Sequence, residues 1–427
     1  MSNDNNIDNS IVEETTTQKV DKVKRKSHKK PDKKVVLLRV CIGVLSAILL
    51  IILIVTVTFL ILRTSGKNSI YNNGGNSIPV IDLNDDPEQP SSTGTDRPDI
   101  SWDDSKPDNT EPSSEGSSNT AETESQSNAQ ETQGNNNGYV YQAGDISYNG
   151  QVYRYNSDIM TFLVMGIDSV TEIPEDDENI DYIKGNQADA NFLFVMNPHT
   201  KQLTCIAISR NTITDIDVYD SDNNYVKTVK AQLCLQHGFG DGKAISCERH
   251  KQAVSKLFYN LPIHGYVSIR LNAIPAINDS VGGVEVTPTE DFEPLGLKAG
   301  VTVRLDGDQA YTFMQYRDRS VFDSATNRLN REKLYLNSFM SAALQKVKSD
   351  ITFPVTMYTT LSKYVYTDLS IDEITYLASE LVGYSFDNFD IRSVQGEVIK
   401  GSEFEEFYID KQALRELMLQ VFYEVVN

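Results

Sequence analysis

The sequence is short of the residues and loops from which many enzyme centres are built. It has four cysteines among 427 residues, and no cysteine–histidine pair has the spacing of a zinc motif. No Gly-x-Ser-x-Gly elbow, Walker loop or dinucleotide fingerprint occurs, so hydrolase and kinase readings have no motif behind them. Beyond the first 39 residues acidic side chains outnumber basic ones. The chain as a whole carries −21, and without its basic N-terminus the remainder is more acidic still, which argues against DNA or RNA as a partner. The single tryptophan, Trp102, stands in a polar stretch rather than among apolar neighbours.

Long apolar runs are also few, but one of them reaches membrane length. From Val40 to Leu62 there is no charged residue, and only Ser46, Thr56 and Thr58 interrupt a row dominated by Ile, Leu and Val. A bilayer core of about 30 Å needs about 20 helical residues at about 1.5 Å each, so this run predicts a transmembrane helix over 40–62. Lysines and arginines crowd the N-terminal flank from Lys19 to Arg39, whereas Arg63 and Lys67 alone follow the run before a long acidic and polar stretch. The positive-inside rule then predicts a cytoplasmic tail (1–39) and an extracellular C-terminus, a single-pass protein of the cell membrane. The basic tail suits anionic lipid better than nucleic acid beside such a span.

Residues 63–144 are rich in Asn, Ser, Thr, Asp, Glu, Gly and Pro, as in "EPSSEGSSNTAETESQSNAQETQGNNNG". So little apolar surface cannot offset chain entropy, and the stretch reads as a disordered tether. Residues 145–427 read as one extracellular α/β domain, with a mixed central sheet flanked by helices. Asn149-Gly150 predicts a tight turn. Ile159–Ile167 is a short apolar run suited to a buried strand, and Asn191–Asn197 with Gln202–Ile208 predicts a hairpin turning at Pro198-His199-Thr200. Helical periodicity marks 247–261, 327–347, 370–382 and 410–426, the third opening on Ser370 with Glu373 three residues on, a capping box. Cys205 sits within a strand as a small hydrophobe. For Cys234 and Cys247 a disulfide and two free thiols are both open.

Four stretches in order resemble the LytR–CpsA–Psr family of cell-wall glycopolymer ligases. They are "FLVMGIDS" (162–169), "QADANFLFVMNPHTKQLTCIAISRNT" (187–212), "LPIHGYVSIRLNAIPAINDSVGGVEV" (261–286) and "LDGDQAYTFMQYRDRSVFDSATNRLNRE" (305–332). The resemblance implies an enzyme that moves an anionic glycopolymer, teichoic acid or capsular polysaccharide, from a polyprenyl-pyrophosphate carrier to peptidoglycan. It implies Asp168 and Asp189 as ligands of Mg²⁺ (or Mn²⁺), a metal that takes one or two carboxylates together with substrate phosphates. Arg210, Arg317, Arg328 and Arg331 would hold the pyrophosphate, since a guanidinium forks onto phosphate oxygens. Arg210, Arg317 and Asp189 would be the catalytic set. The carrier's tail would need an apolar slot, for which Phe162, Val164, Phe192, Phe194 and Ile206 are the candidates.

Each of these residues has a plainer reading: a turn or cap aspartate, a solvated helix face, local ion pairs around Asp318, ordinary core. The chain also departs from the family pattern. Gln187 and Gln315 stand where an arginine is usual, Asn211 replaces an aspartate and Glu332 a glutamine, which makes the site less positive. A non-catalytic protein that senses lipid-linked wall precursors is therefore the alternative. Direct DNA contact in transcription control finds no helix-turn-helix pattern in the tail. The acidic loop 171–186 reads as a solvated surface, and its spacing is not that of an EF-hand.

Overall fold

The computed structural model describes residues 33–75, 77–81, 139–173, 182–384, 389–401 and 404–427. The chain divides into two compact units, residues 1–58 and 59–427. Helix α1 (Lys33–Asn73) begins in the first and ends in the second. It is long and apolar enough to cross a membrane, and from Ile48 to Val57 its large aliphatic side chains are exposed. Exposure of such a row is costly in water and free in hydrocarbon.

The second unit continues with β1 (Ile146–Tyr148), β2 (Gln151–Tyr155), β3 (Met160–Ile167), β4 (Ala188–Asn197), β5 (Gln202–Ile208), β6 (Ile213–Tyr219) and β7 (Tyr225–Gln232). Then come α2 (Ala244–Leu257), β8 (Gly265–Arg270), α3 (Ile274–Ser280), β9 (Val284–Val286), β10 (Val303–Leu305), α4 (Gly307–Gln315), α5 (Ser324–Ser349) and α6 (Phe353–Leu361). The chain ends with β11 (Val365–Thr367), α7 (Ile371–Leu381), β12 (Asp390–Ser393), β13 (Gly396–Lys400), β14 (Glu405–Ile409), α8 (Lys411–Phe422) and β15 (Tyr423–Val425).

Six strands form the central sheet in the order β11-β8-β3-β4-β5-β12. The β3–β4 and β4–β5 pairs are antiparallel, β3–β8 and β5–β12 parallel. The sheet is mixed and flanked by helices, as expected from the interleaved sequence pattern. Successive side chains on a strand point to opposite faces, and here both faces are covered. Leu163, Met165, Leu193, Val195, Ile206 and Ile208 pack in one cluster with Val254 and Phe258 of the α2 region and Met418 and Phe422 of α8. The alternate residues Phe162, Phe192, Cys205 and Ala207 belong to clusters that include Leu329 and Leu336 of α5 and Tyr376 of α7.

Local signals held where they were strong. Asn149 and Gly150 both have positive φ, as a two-residue hairpin turn requires. The Ser370–Glu373 capping box is present at α7. The last helix stops at Phe422, short of the expected 426, because Tyr423–Val425 pairs with β2 instead; aromatic and β-branched residues suit that choice. Cys234 and Cys247 are free, buried thiols.

The tether expected over 63–144 does not begin at residue 63. Ile70 is fully buried among Met160, Phe162, Met196, Leu203 and Tyr376. Arg63 Nη2 pairs with Glu380 Oε1 at 2.6 Å, and Asn73 Nδ2 donates to Glu373 Oε1 at 2.9 Å. Further on, Ile81 joins the α8-side cluster and the Tyr423 hydroxyl donates to the Pro79 carbonyl at 3.0 Å. Isolated isoleucines among polar residues carry no periodicity, so composition could not reveal this docking. Residues 82–138, with Trp102, and 174–181 of the acidic loop lie outside the described residues.

Candidate active site

The site is assembled at the C-terminal end of β3. Asp168 follows the strand and is exposed. Beneath it, a Cβ on Gly166 would lie 2.9 Å from the Ala190 Cβ, so any larger residue would push β3 and β4 apart. Asp189 is the second residue of β4. The turn after β5 closes when the Thr212 N–H and hydroxyl donate to the Ser209 carbonyl at 3.1 and 2.8 Å, which carries Arg210 back over Asp189. Arg210 Nη1 lies 2.5 Å from Asp189 Oδ1. Its Nη2 donates to Gln187 Oε1 and approaches Cys234 Sγ at 3.0 Å. Burial outweighs the pull of Arg210 and raises the Cys234 pKa, so this thiol stays protonated.

Helix α5 supplies the second guanidinium. Arg328 Nη1 donates to Asp189 Oδ2 and its Nη2 to the Asp189 carbonyl, both at 3.1 Å. The Asp189 carboxylate is thus gripped by two arginines, all three being largely buried. Removing one member of such a group leaves charge uncompensated in a poorly solvated place. One turn on, Glu332 Oε1 lies 3.4 Å from Arg328 Nε. Burial outweighs the attraction of Arg328 and pushes the Glu332 carboxyl up to about 7.

Arg331 does not join them. It lies three residues after Arg328, about 60° away around the helix, and turns toward α4. Its Nε donates to the Phe313 carbonyl at 3.2 Å, Nη2 donates to the Tyr316 carbonyl, and the guanidinium lies 5.0 Å from the Phe292 ring centre. It therefore caps carbonyls left open at the end of α4 and, unlike the other arginines expected at the pyrophosphate, lines neither of the two cavities at the site. Arg317 follows directly after that capped end. Its Nε donates to Ser324 Oγ at 2.8 Å and its Nη2 to Glu405 Oε2 at 2.9 Å.

Two cavities meet at these residues. One is an apolar slot of about 340 Å³ lined by Val164, Phe192, Ile274, Ile277, Met314, Tyr335, Leu336 and Phe339. The other is a polar cleft of about 890 Å³ lined by Lys184, Gln187, Asn211, Gln232, Lys400 and Glu405. Asp168, Arg210, Arg317 and Arg319 line both; Asp189 and Arg328 line the slot. Of the five residues expected to form a slot, Val164 and Phe192 do so. Phe162 and Phe194 lie on the same face in packed clusters, and Ile206 is on the opposite face, filled by the α8-side core. The α5 contribution was visible as helical spacing from Arg328 through Glu332 to Leu336 and from Tyr335 to Phe339. Glu405 had no such signal, because it arrives from a hairpin far along the chain.

An apolar slot opening through an arginine–aspartate ring into a polar cleft suits a ligand with an apolar tail, an anionic joint and a polar head. The model of the LytR_cpsA_psr family matches residues 113–421, and the chain belongs to that family. The polyisoprenyl-teichoic acid–peptidoglycan teichoic acid transferase TagU of Enterococcus faecalis is 24% identical over 241 residues, covering 56% of this chain and 71% of that protein. The TagU of Oceanobacillus iheyensis is 26% identical over 256 residues, covering 59% and 72% respectively. The crystal structure of B. subtilis TagV aligns with 62% of this chain and 96% of its own, at 20% identity and a TM-score of 0.46.

Proposed function

We propose that the chain is a membrane-anchored glycopolymer transferase. It takes an anionic polymer, teichoic acid or a capsular polysaccharide, from a polyprenyl-pyrophosphate carrier and joins it to peptidoglycan outside the cell. One observation carries this reading: the charged ring shared by the apolar slot and the polar cleft. Val164, Phe192, Leu336 and Phe339 would receive the prenyl tail and keep water from the joint. Arg210, Arg317, Arg328 and Arg319 would face the pyrophosphate, whose charge is the chief obstacle to its transfer. The acceptor hydroxyl would enter from the cleft and bond to the phosphorus bearing the glycan. The bond from that phosphorus to the bridging oxygen breaks, polyprenyl phosphate departs, and the hydroxyl proton passes to the departing phosphate.

Magnesium or manganese would neutralise the phosphate oxygens. Among the described residues no three His, Cys, Asp or Glu side chains form a metal cluster. The donor set fits a cation held by Asp168 together with the substrate's own oxygens. Asp189 is engaged by Arg210 and Arg328, so as a ligand it would have to share its carboxylate with them.

The same pairing supports the second reading, a sensor that binds the lipid-linked precursor without turnover. With Gln187 and Gln315 uncharged, and Arg210, Arg328 and Arg317 already opposite carboxylates, the ring holds little free positive charge. The deciding experiment incubates the full chain in detergent with a polyprenyl-pyrophosphate saccharide, peptidoglycan and Mg²⁺. Transfer is expected, lowered about 100-fold or more in Arg317→Ala and Asp189→Ala. Tight binding of the saccharide lipid without transfer would replace the transferase by the sensor.

A further inference from the structure

Glu405 is the first residue of β14 and stands far in sequence from every family-like stretch named above. Its two carboxylate oxygens have different partners. Oε2 accepts from Arg317 Nη2 at 2.9 Å, and Oε1 accepts from the Asp323 backbone N–H at 2.7 Å. The side chain is largely buried, as is that of Arg317. It therefore ties both ends of the loop between α4 and α5, the loop that carries Arg317 and Arg319 into the two cavities.

The backbone of the same residue is fixed to the other arginine-bearing turn. Gln232 Nε2 donates both to the Glu405 carbonyl at 2.7 Å and to Asn211 Oδ1 at 3.2 Å. Two residues on, the Phe407 N–H donates to the Asn211 carbonyl at 2.9 Å. β14 is thus a strut from the Arg210–Thr212 turn to the Arg317 loop. A guanidinium on a long side chain loses rotamer entropy on fixation, and a site that meets its ligand with the side chain already held avoids that loss at binding.

We infer that Glu405 is the positioning residue that holds Arg317 at the junction of slot and cleft and sets its separation from Arg210. The inference rests on the diphosphate reading given above. A general-base role would compete, since Asp168 and Glu405 are the acids among the residues lining the cleft. Geometry favours positioning, because both carboxylate oxygens are already engaged by donors at the two ends of the α4–α5 loop.

The test is a double-mutant cycle in the full chain, combining Glu405→Gln with Arg317→Ala. Glutamine can keep an acceptor for the Asp323 amide but removes the charge opposite Arg317. Affinity for a short-chain prenyl pyrophosphate is read by calorimetry, and folding by thermal unfolding. In the native background Glu405→Gln should weaken binding about tenfold; in Arg317→Ala it should add less than about twofold. Equal losses in both backgrounds, or unchanged affinity in the first, would overturn the inference while leaving the diphosphate reading intact. Unchanged affinity with turnover abolished would make Glu405 the base. A native chain that binds no prenyl pyrophosphate would remove both the diphosphate reading and the inference built on it.

Discussion

The two faces of the central sheet are made of alternate residues of the same strands, yet one is filled and the other is hollow. Toward α2 and α8, Leu163, Leu193, Ile206 and Phe258 close a dry core. Toward α5, Val164 and Phe192 meet Leu336 and Phe339 across a slot. Burial also shifts titratable groups around the sheet in both directions. On the filled face His237 and His250 are pushed down to about 4 and about 3 by burial. His250 Nε2 is held 2.7 Å from Asn191 Oδ1, and His237 Nε2 lies 3.6 Å from Cys247 Sγ. On the hollow face Glu332 is pushed up to about 7.

The largest test of this contrast is acid. The histidines bind protons more readily unfolded than folded, so their stabilisation is present above about 6.5 and is lost as pH falls through their folded values. Loss on the order of 5 kcal/mol is expected between pH 7 and pH 4, read by urea unfolding. In the native chain Glu332 partly offsets it, so the slope should be steepest in Glu332→Gln. A flat profile in that variant would mean the histidines are not held neutral.

Core truncation comes next. Leu163→Ala on the filled face should cost about 3 kcal/mol and leave prenyl pyrophosphate affinity within about twofold. Leu336→Ala, half-exposed toward the slot, should cost about half as much and weaken that affinity several-fold. The reverse pattern would place the tail on the wrong face.

Glu332 itself tests the hollow side in the alkaline direction. Its carboxyl binds a proton more tightly folded than unfolded, so stability falls as pH rises from about 4.5 through about 7 and is constant above. Glu332→Gln should therefore match the native chain near pH 4.5 and exceed it by up to about 3 kcal/mol at pH 8, measured by urea midpoints. The smallest effect belongs to Arg331→Ala. Loss of its contacts with the α4 carbonyls and Phe292 should cost about 1 kcal/mol in thermal unfolding with ligand affinity unchanged. A matching loss of affinity would return Arg331 to the site.

Much of this was legible in the sequence wherever a residue's role depends on close neighbours. The Asn149-Gly150 turn, the Ser370–Glu373 cap, the Pro198–Thr200 hairpin and the strand at Met160–Ile167 follow from short-range sterics and period-two burial. Asp168, Asp189, Arg210, Arg317 and Arg328 were found by their order along four stretches, and the fold brings them to one place. Arg331 was grouped with Arg328 because adjacent helical positions look alike until the neighbouring helix is known. Ile206 was misread because strand residues carry no mark of which face will be left open.

The sequence alone determined that one segment is apolar enough to cross a membrane and that an α/β domain follows, because these depend on composition and periodicity; the candidate acidic and basic residues came from its resemblance to a family. The tertiary structure alone decided which face of the sheet stays hollow, that residues from Phe59 to Ile81 belong to the folded unit rather than to a tether, and that Glu405 stands behind Arg317. Those depend on contacts between residues hundreds of positions apart, whose energies exist only once the chain has closed around them.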